Sequence, residues 1–493
     1  MAAKMGQFQF EVPEAAGDFF SRSMWSDAYI SGMDGVPWFS ETAFDGKQFS
    51  IQHGLTASGK LNLTWPVPEI GLRSLSTCSL RGSEAQSYQL PLELARGSCY
   101  RARAISDAWE RFGLTLCGEF HQLLQDGSRE FLEAAKSQSA KDRCAESALK
   151  AIPLLEKALD VLAENLADQS IAFRKKREPQ LGTLLAGSIN LDEMEQDSSR
   201  QDFMETFNAA AVRFNWRCIE EQSGKFDFGL VASNLEICRQ SELRVIAGPL
   251  VDFRDASIPA WLQGSETNFD SLLNAAVNYV EKAVSQFRGS VQLWNCAAGL
   301  NTAGPLEMDD EQVMRLSLAI LQAVRRVDPT TPAIMSFDQP FGEYLSKNES
   351  GVSPLKVAET LVRSGLGLAG IGLDYRIGYL SNATMPRSPV DFSLALDRWG
   401  NLGIPTLVQL TIPGETGPDT NSDFTGSAPE QQLKIARPLL QLLLAKPSVH
   451  GIVWNDWANG APHQTNQSSF LGANGQPRPL QQYLMKLRQE NLT

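Results

Sequence analysis

The sequence predicts an α/β protein in which a (β/α)8 barrel follows an N-terminal β-sandwich and a helical segment. Three observations carry this. Apolar residues alternate with period 2 at the start, recur at helical spacing up to about residue 173, and then form eight short runs separated by amphipathic stretches.

In the first region, Phe8, Phe10 and Val12, then Leu61, Leu63 and Trp65, then Tyr88, Leu90 and Leu92 alternate between clusters of Gly, Ser, Asp and Pro. Short period-2 runs with turn residues between them predict antiparallel strands packed as a sandwich, and the first unit is set at residues 1–99. In the second, Ile152, Leu155, Leu159, Leu162 and Leu166 fall at i, i+3, i+4 spacing among Ala, Glu and Lys. Breaks near Gly127 and over residues 137–140 predict two or three helices folded as a hairpin or strut over residues 100–178. The leucine stripe is read as core, and the basic run from Arg174 to Arg177 as a helix end, where cations suit the dipole.

The third region, residues 179–493, carries predicted strands near 183–189, 213–216, 244–250, 291–296, 333–337, 370–373, 406–410 and 451–454. Eight such runs match the barrel count. The intervening stretches are amphipathic, as in the stripe of Val313, Leu316, Ile320 and Val324. Barrels of this kind carry their chemistry on the segments that follow the strands. The residues to inspect are therefore Trp294 and Asn295, Asp338 and Gln339, Asp374 and Arg376, Gln409, and Trp454, Asn455, Asp456 and Trp457. Asp252, Asp255 and Glu415 also follow strands and are read as solvated loop charges.

Composition narrows the function. The chain has 493 residues, 43% of them apolar and 20% charged, which suits a packed globular protein. A formal charge of −13 argues against binding a phosphate backbone, which needs clustered Lys and Arg. Residues 1–12 contain no apolar signal core, and no stretch approaches the ~20 apolar residues of a membrane span. The seven cysteines are scattered without paired spacings, so the expectation is an unexported, cytoplasmic protein with reduced thiols. No metal or cofactor is expected: the four histidines are dispersed, and Gly365, Gly367 and Gly370 precede a strand instead of joining one to a helix. Oligomeric state is not legible.

Several segments, taken in order, resemble glycoside hydrolase family 10, the xylanase barrels. Phe214-Asn215-Trp216 with Glu220 and Gly224-Lys225-Phe226 resembles its second-strand region, and Ile258-Pro259-Ala260-Trp261-Leu262 its third-strand exit. Trp294-Asn295 through Gly299 is similar to the fourth-strand motif, Gly370 through Arg376 to the sixth, residues 405–412 to the seventh, and 449–457 with 474–479 to the closing segments. Asp338 through Tyr344 stands where the family has a short polar motif after the fifth strand. The amino-terminal β-unit and helices resemble a divergent branch of such proteins, in which the sandwich is like a carbohydrate-binding module.

On this resemblance Gly299 and Gln409 occupy the positions of the two catalytic glutamates, Gly248 and Phe253 those of two histidines, and Asp374 and Arg376 those of a glutamine and a histidine. Retaining hydrolysis needs a carboxylic acid to protonate the leaving oxygen and a carboxylate, ~5 Å away, to attack the sugar. Neither glycine nor a neutral amide can do this. The resemblance implies a barrel that holds a saccharide or a protein partner at the old cleft without turnover. The alternative is an active O-glycosyl hydrolase that uses Asp374 or Asp456 as substitute acids. Trp294, Trp454 and Trp457 could offer flat faces to sugar rings, or serve as packing.

Overall fold

The computed structural model describes residues 6–17, 20–54, 56–82, 87–189, 197–254, 257–262, 268–302, 308–349, 351–379, 383–415, 429–455 and 478–492. Asp456 and Trp457 lie outside these residues, as does Asp255.

The amino-terminal unit is two four-stranded sheets. β1 (Gly6–Glu11), β4 (Glu41–Phe44), β5 (Gln48–His53) and β8 (Ser87–Gln89) form one in the order β4-β5-β1-β8; β2 (Tyr29–Ser31), β3 (Pro37–Trp38), β6 (Lys60–Val67) and β7 (Gly71–Ser76) form the other in the order β3-β2-β6-β7. Phe8, Phe10, Phe49 and Ile51 of the first sheet share one apolar core with Ile30, Leu61, Leu63 and Trp65 of the second. That shared layer is what the alternating pattern predicts.

Three helices follow: α1 (Leu90–Arg111), α2 (Gly118–Lys136) and α3 (Lys141–Lys175). Helix begins at Leu90, ten residues before the expected boundary, because Pro91 supplies a helix-compatible φ in the first turn. The expected break at Gly127 is absent. Gly127 instead lies within α2, where a Cβ would meet Leu155 Cγ at 2.7 Å, so its role is close helix packing. Leu155, Leu159 and Leu162 are fully buried, as core residues should be.

The barrel closes in the order β10-β11-β13-β15-β16-β17-β18-β9. Its strands are β9 (Leu184–Ser188), β10 (Ala209–Val212), β11 (Arg244–Ala247), β13 (Leu293–Asn295), β15 (Ala333–Asp338), β16 (Gly370–Arg376), β17 (Thr406–Thr411) and β18 (Val449–Trp454), every neighbouring pair parallel. A short ladder of β12 (Val251–Asp252) on β14 (Ala297–Ala298) extends the rim between the third and fourth strands. One expectation is corrected: the second strand is 209–212, not 213–216. Asn215 instead caps a helical turn over Trp216–Ile219 by accepting a hydrogen bond from the Cys218 amide.

Inside the barrel, Ala186, Ala209, Ala211, Ile246, Ile334, Leu407 and Val453 form a small apolar plug. Alternation along each strand then carries Ser336 and Asp338, Asp374 and Arg376, Gln409 and Thr411, and Asn455 to the same interior side, above the plug. The floor is dry and the mouth is polar.

Candidate active site at the barrel mouth

Asp338 and Asp374 are partners in register on adjacent strands, and Gln409 is the partner of Asp374 on the next. All three therefore project on one face. Over them lies Arg254, which falls in the stretch 252–255 after the third strand but to which the sequence assigned no role. Its Nε and Nη2 donate to the two oxygens of Asp252 at 2.8 Å each, and its Nη1 pairs with Asp374 and lies 3.5 Å from Asp338. Gln409 donates its amide to the same Asp374 oxygen at 2.8 Å.

Room for this arginine comes from Gly299. The glycine has φ +73, and a Cβ there would stand 2.7 Å from Arg254 Cγ and 3.1 Å from its backbone nitrogen. Gly248 is similarly confined, since its Cβ would meet the Asn295 carbonyl oxygen at 2.3 Å. Phe253, at the other expected histidine position, is fully buried.

The ionic balance follows from burial. Asp338 and Asp374 are each 3% exposed, and one oxygen of each, Oδ2 and Oδ1 respectively, has no hydrogen-bond partner among the described residues. Desolvation disfavours their charged forms, and Arg254 opposes that without cancelling it. The Asp338 carboxyl is pushed up to about 7, and Asp374 is raised as well. Burial also disfavours the Arg254 charge, but Asp252, Asp338 and Asp374 together overcome it and hold the guanidinium protonated.

Asn301, 8% exposed, donates to the Asp338 carbonyl at 2.8 Å and accepts from the Asp338 amide at 3.0 Å. The next residue, Gln339, adopts φ 44, an uncommon conformation for a side chain of that size. Asn295 accepts from Ser336 Oγ at 3.0 Å. A second chain runs from Arg213 to Asn455 at 2.9 Å and from Asn455 to Thr411 at 3.0 Å.

The remaining expectations divide. Asn295, Asp338, Asp374, Gln409 and Asn455 lie on the interior side of the strands. Arg376 stacks over the Tyr379 ring at 5.4 Å, and Asp374 is ion-paired with Arg254. Trp294 is corrected: it is fully buried on the outer side, where its indole donates to Asp328 at 3.0 Å and its ring packs against Phe214. Trp454, 1% exposed, belongs to the layer between strands and helices and offers no open face. Asp252 and Glu415 are ion-paired, with Arg254 and with Arg478 at 2.7 Å, so neither is a free loop charge. Among the described residues no group of three His, Cys, Asp or Glu is arranged to hold a metal ion, and no helix is long and apolar enough to cross a membrane.

A closed eight-stranded parallel barrel with acids at the carboxyl ends of its strands places those acids where such barrels carry their active sites. Over 306 residues the chain is 24% identical to endo-1,4-beta-xylanase B of Thermotoga neapolitana, a match spanning 57% of this chain and 80% of that enzyme. That similarity to a xylanase extends over more than half of the chain. No family model matches the chain. Solved structures similar to it include xylanase 10B from Thermotoga petrophila RKU-1 in complex with xylobiose (16% identity, 66% of this chain and 95% of that one, TM-score 0.47) and native xylanase 10B from Thermotoga maritima (15% identity, 65% and 96%, TM-score 0.48).

Proposed function

We propose that this protein is a xylanase-like barrel that binds a saccharide at its mouth and has lost the retaining two-glutamate mechanism. One observation carries the reading: Arg254 fills the space beside Gly299 and is tied to Asp374, while the Gln409 amide is bonded to that same carboxylate. On the family resemblance, the acid position is a glycine in contact with an arginine, and the nucleophile position is an amide already satisfied by an internal partner. Losing the general acid alone removes ~10² to 10⁴ in rate. The unpartnered oxygens of Asp338 and Asp374 suit ligand hydroxyl donors. The seven cysteines are all unpaired, which fits a reducing, cytoplasmic setting.

A second reading is residual hydrolysis, favoured by the raised Asp338 carboxyl, which is half-protonated near neutrality and so equipped to donate a proton. Titration calorimetry with xylohexaose beside an aryl β-xyloside assay separates the two. Binding without turnover, weakened by Asp374→Asn, supports the binder; turnover abolished by Asp374→Asn or Asp338→Asn supports the enzyme. Absence of both saccharide binding and turnover overturns the two readings together.

A further inference from the structure

The sheet β3-β2-β6-β7 does not stand apart from the barrel. It lies across the two segments that follow β15 and β16. The Ser40 amide donates to the Ser346 carbonyl at 3.0 Å, and the Ser74 amide to the Pro386 carbonyl at 2.5 Å. Tyr29, 1% exposed, receives at its hydroxyl a 2.5 Å hydrogen bond from Arg387 Nη2.

Arg387 is the hub of this contact. The same Nη2 lies 3.3 Å from Glu343, and the guanidinium carbon sits 4.0 Å from the centroid of the Phe341 ring. Phe341 packs edge-on against Tyr375, centroids 5.9 Å apart, and Tyr375 separates Asp374 from Arg376 on β16. Glu343 also accepts from the Met385 amide at 3.3 Å, which joins the two segments directly. Upstream, Gly342 donates to the Gln339 carbonyl at 2.6 Å, closing the turn that follows Asp338. The links from Tyr29 to Glu343 and Phe341 are contacts between buried or half-buried groups, and from there the backbone of the turn over residues 339–342 leads to Asp338.

We propose that the amino-terminal β-unit is a built-in wall of the site, and that Tyr29 acts as a positioning residue: it fixes Arg387, which sets Phe341 and Glu343 and through them the turn that carries Asp338. A sandwich that served as an independent sugar-binding module would not need its sheet spent on barrel loops. The inference takes from the proposed function only that the barrel mouth is the site.

The test uses the full chain carrying Tyr29→Phe, which removes one hydroxyl and keeps the ring, with Glu343→Gln as a second probe. The readout is the titration midpoint of Asp338, followed by NMR of 13C-carboxyl aspartate and assigned by its loss in Asp338→Asn. A side chain that moves relative to Arg254 changes its electrostatic surroundings, so both variants should shift the midpoint by about half a pH unit or more while remaining folded. A purely structural role for Tyr29 would lower the melting temperature and leave the midpoint in place; that outcome overturns the proposal. If Tyr29→Phe does not fold, Glu343→Gln decides by the same criterion. Failure of the wild-type protein to bind xylohexaose would strike the saccharide reading and leave this titration result standing.

Discussion

The point at which a Cβ of residue 299 would stand lies 2.7 Å from Cγ of Arg254, so the glycine and the arginine are one fitted pair. Neither can be changed alone without consequence for the other.

Gly299→Glu should therefore fail to restore an acid, because the new side chain meets Arg254 and must also adopt φ near +73. A loss of about 1–3 kcal/mol in stability is expected from overpacking and left-handed strain together. Combining Gly299→Glu with Arg254→Gly and Gln409→Glu removes the collision. Aryl xyloside hydrolysis by the triple variant, and none by the Gly299→Glu and Gln409→Glu double variant, is the expected pattern in a chromogenic assay.

Asp338 makes stability depend on pH. Its folded pKa is raised above the unfolded value, so the folded state holds the proton more tightly and gains most at low pH. That contribution is complete below the ordinary carboxylate pKa and is lost as pH rises through about 7. Asp338→Asn, which mimics the neutral form, should flatten the fall in unfolding free energy between roughly pH 4 and 7, seen by urea titration at each pH.

Gln339 holds a left-handed conformation directly after Asp338. Glycine adopts that conformation freely, so Gln339→Gly should stabilise the fold by about 1 kcal/mol. If the glutamine is kept for ligand contact, the same variant weakens saccharide binding. Differential scanning calorimetry and binding calorimetry on one sample measure both effects.

Glu156 is fully buried between the helices and the barrel. It accepts from Ser98 at 2.6 Å and from Arg101 at 2.7 Å, and Arg101 continues to Asp391 of the barrel at 2.5 Å. Arg73 joins from β7, pairing with Asp160 at 2.8 Å and lying 3.6 Å from Glu156. Glu156→Ala takes one of two carboxylate partners from each of two buried cations, leaving Arg101 with Asp391 and Arg73 with Asp160, and should cost about 1–3 kcal/mol, measured by chemical denaturation.

The barrel was legible because its signal is local and repeated: each strand run is apolar, and polar residues follow it. The positions of Asp338, Asp374 and Gln409 at strand ends came from the same rule, and the structure sets them side by side. Trp294 shows where the rule stops, since one residue of register turns a side chain from the mouth to the outer layer. Arg254 stands in the stretch after the third strand that the same rule marks, but its role was not legible, because two of its three carboxylate partners are 84 and 120 residues distant. The role of Gly127 was hidden likewise, because a glycine inside a helix spells a break until the packing partner is known.

Tyr29 and Arg387 are separated by 358 positions in the chain. A ribosome adding about 5–20 residues per second makes the first tens of seconds before the second, roughly 20–70 s apart. For the later part of that interval, once β8 has ended the sandwich, the segments that cover one of its faces do not yet exist. Newly made chains therefore pass through a stage in which that surface is half-finished, and it is completed only once the segment carrying Arg387 has been made.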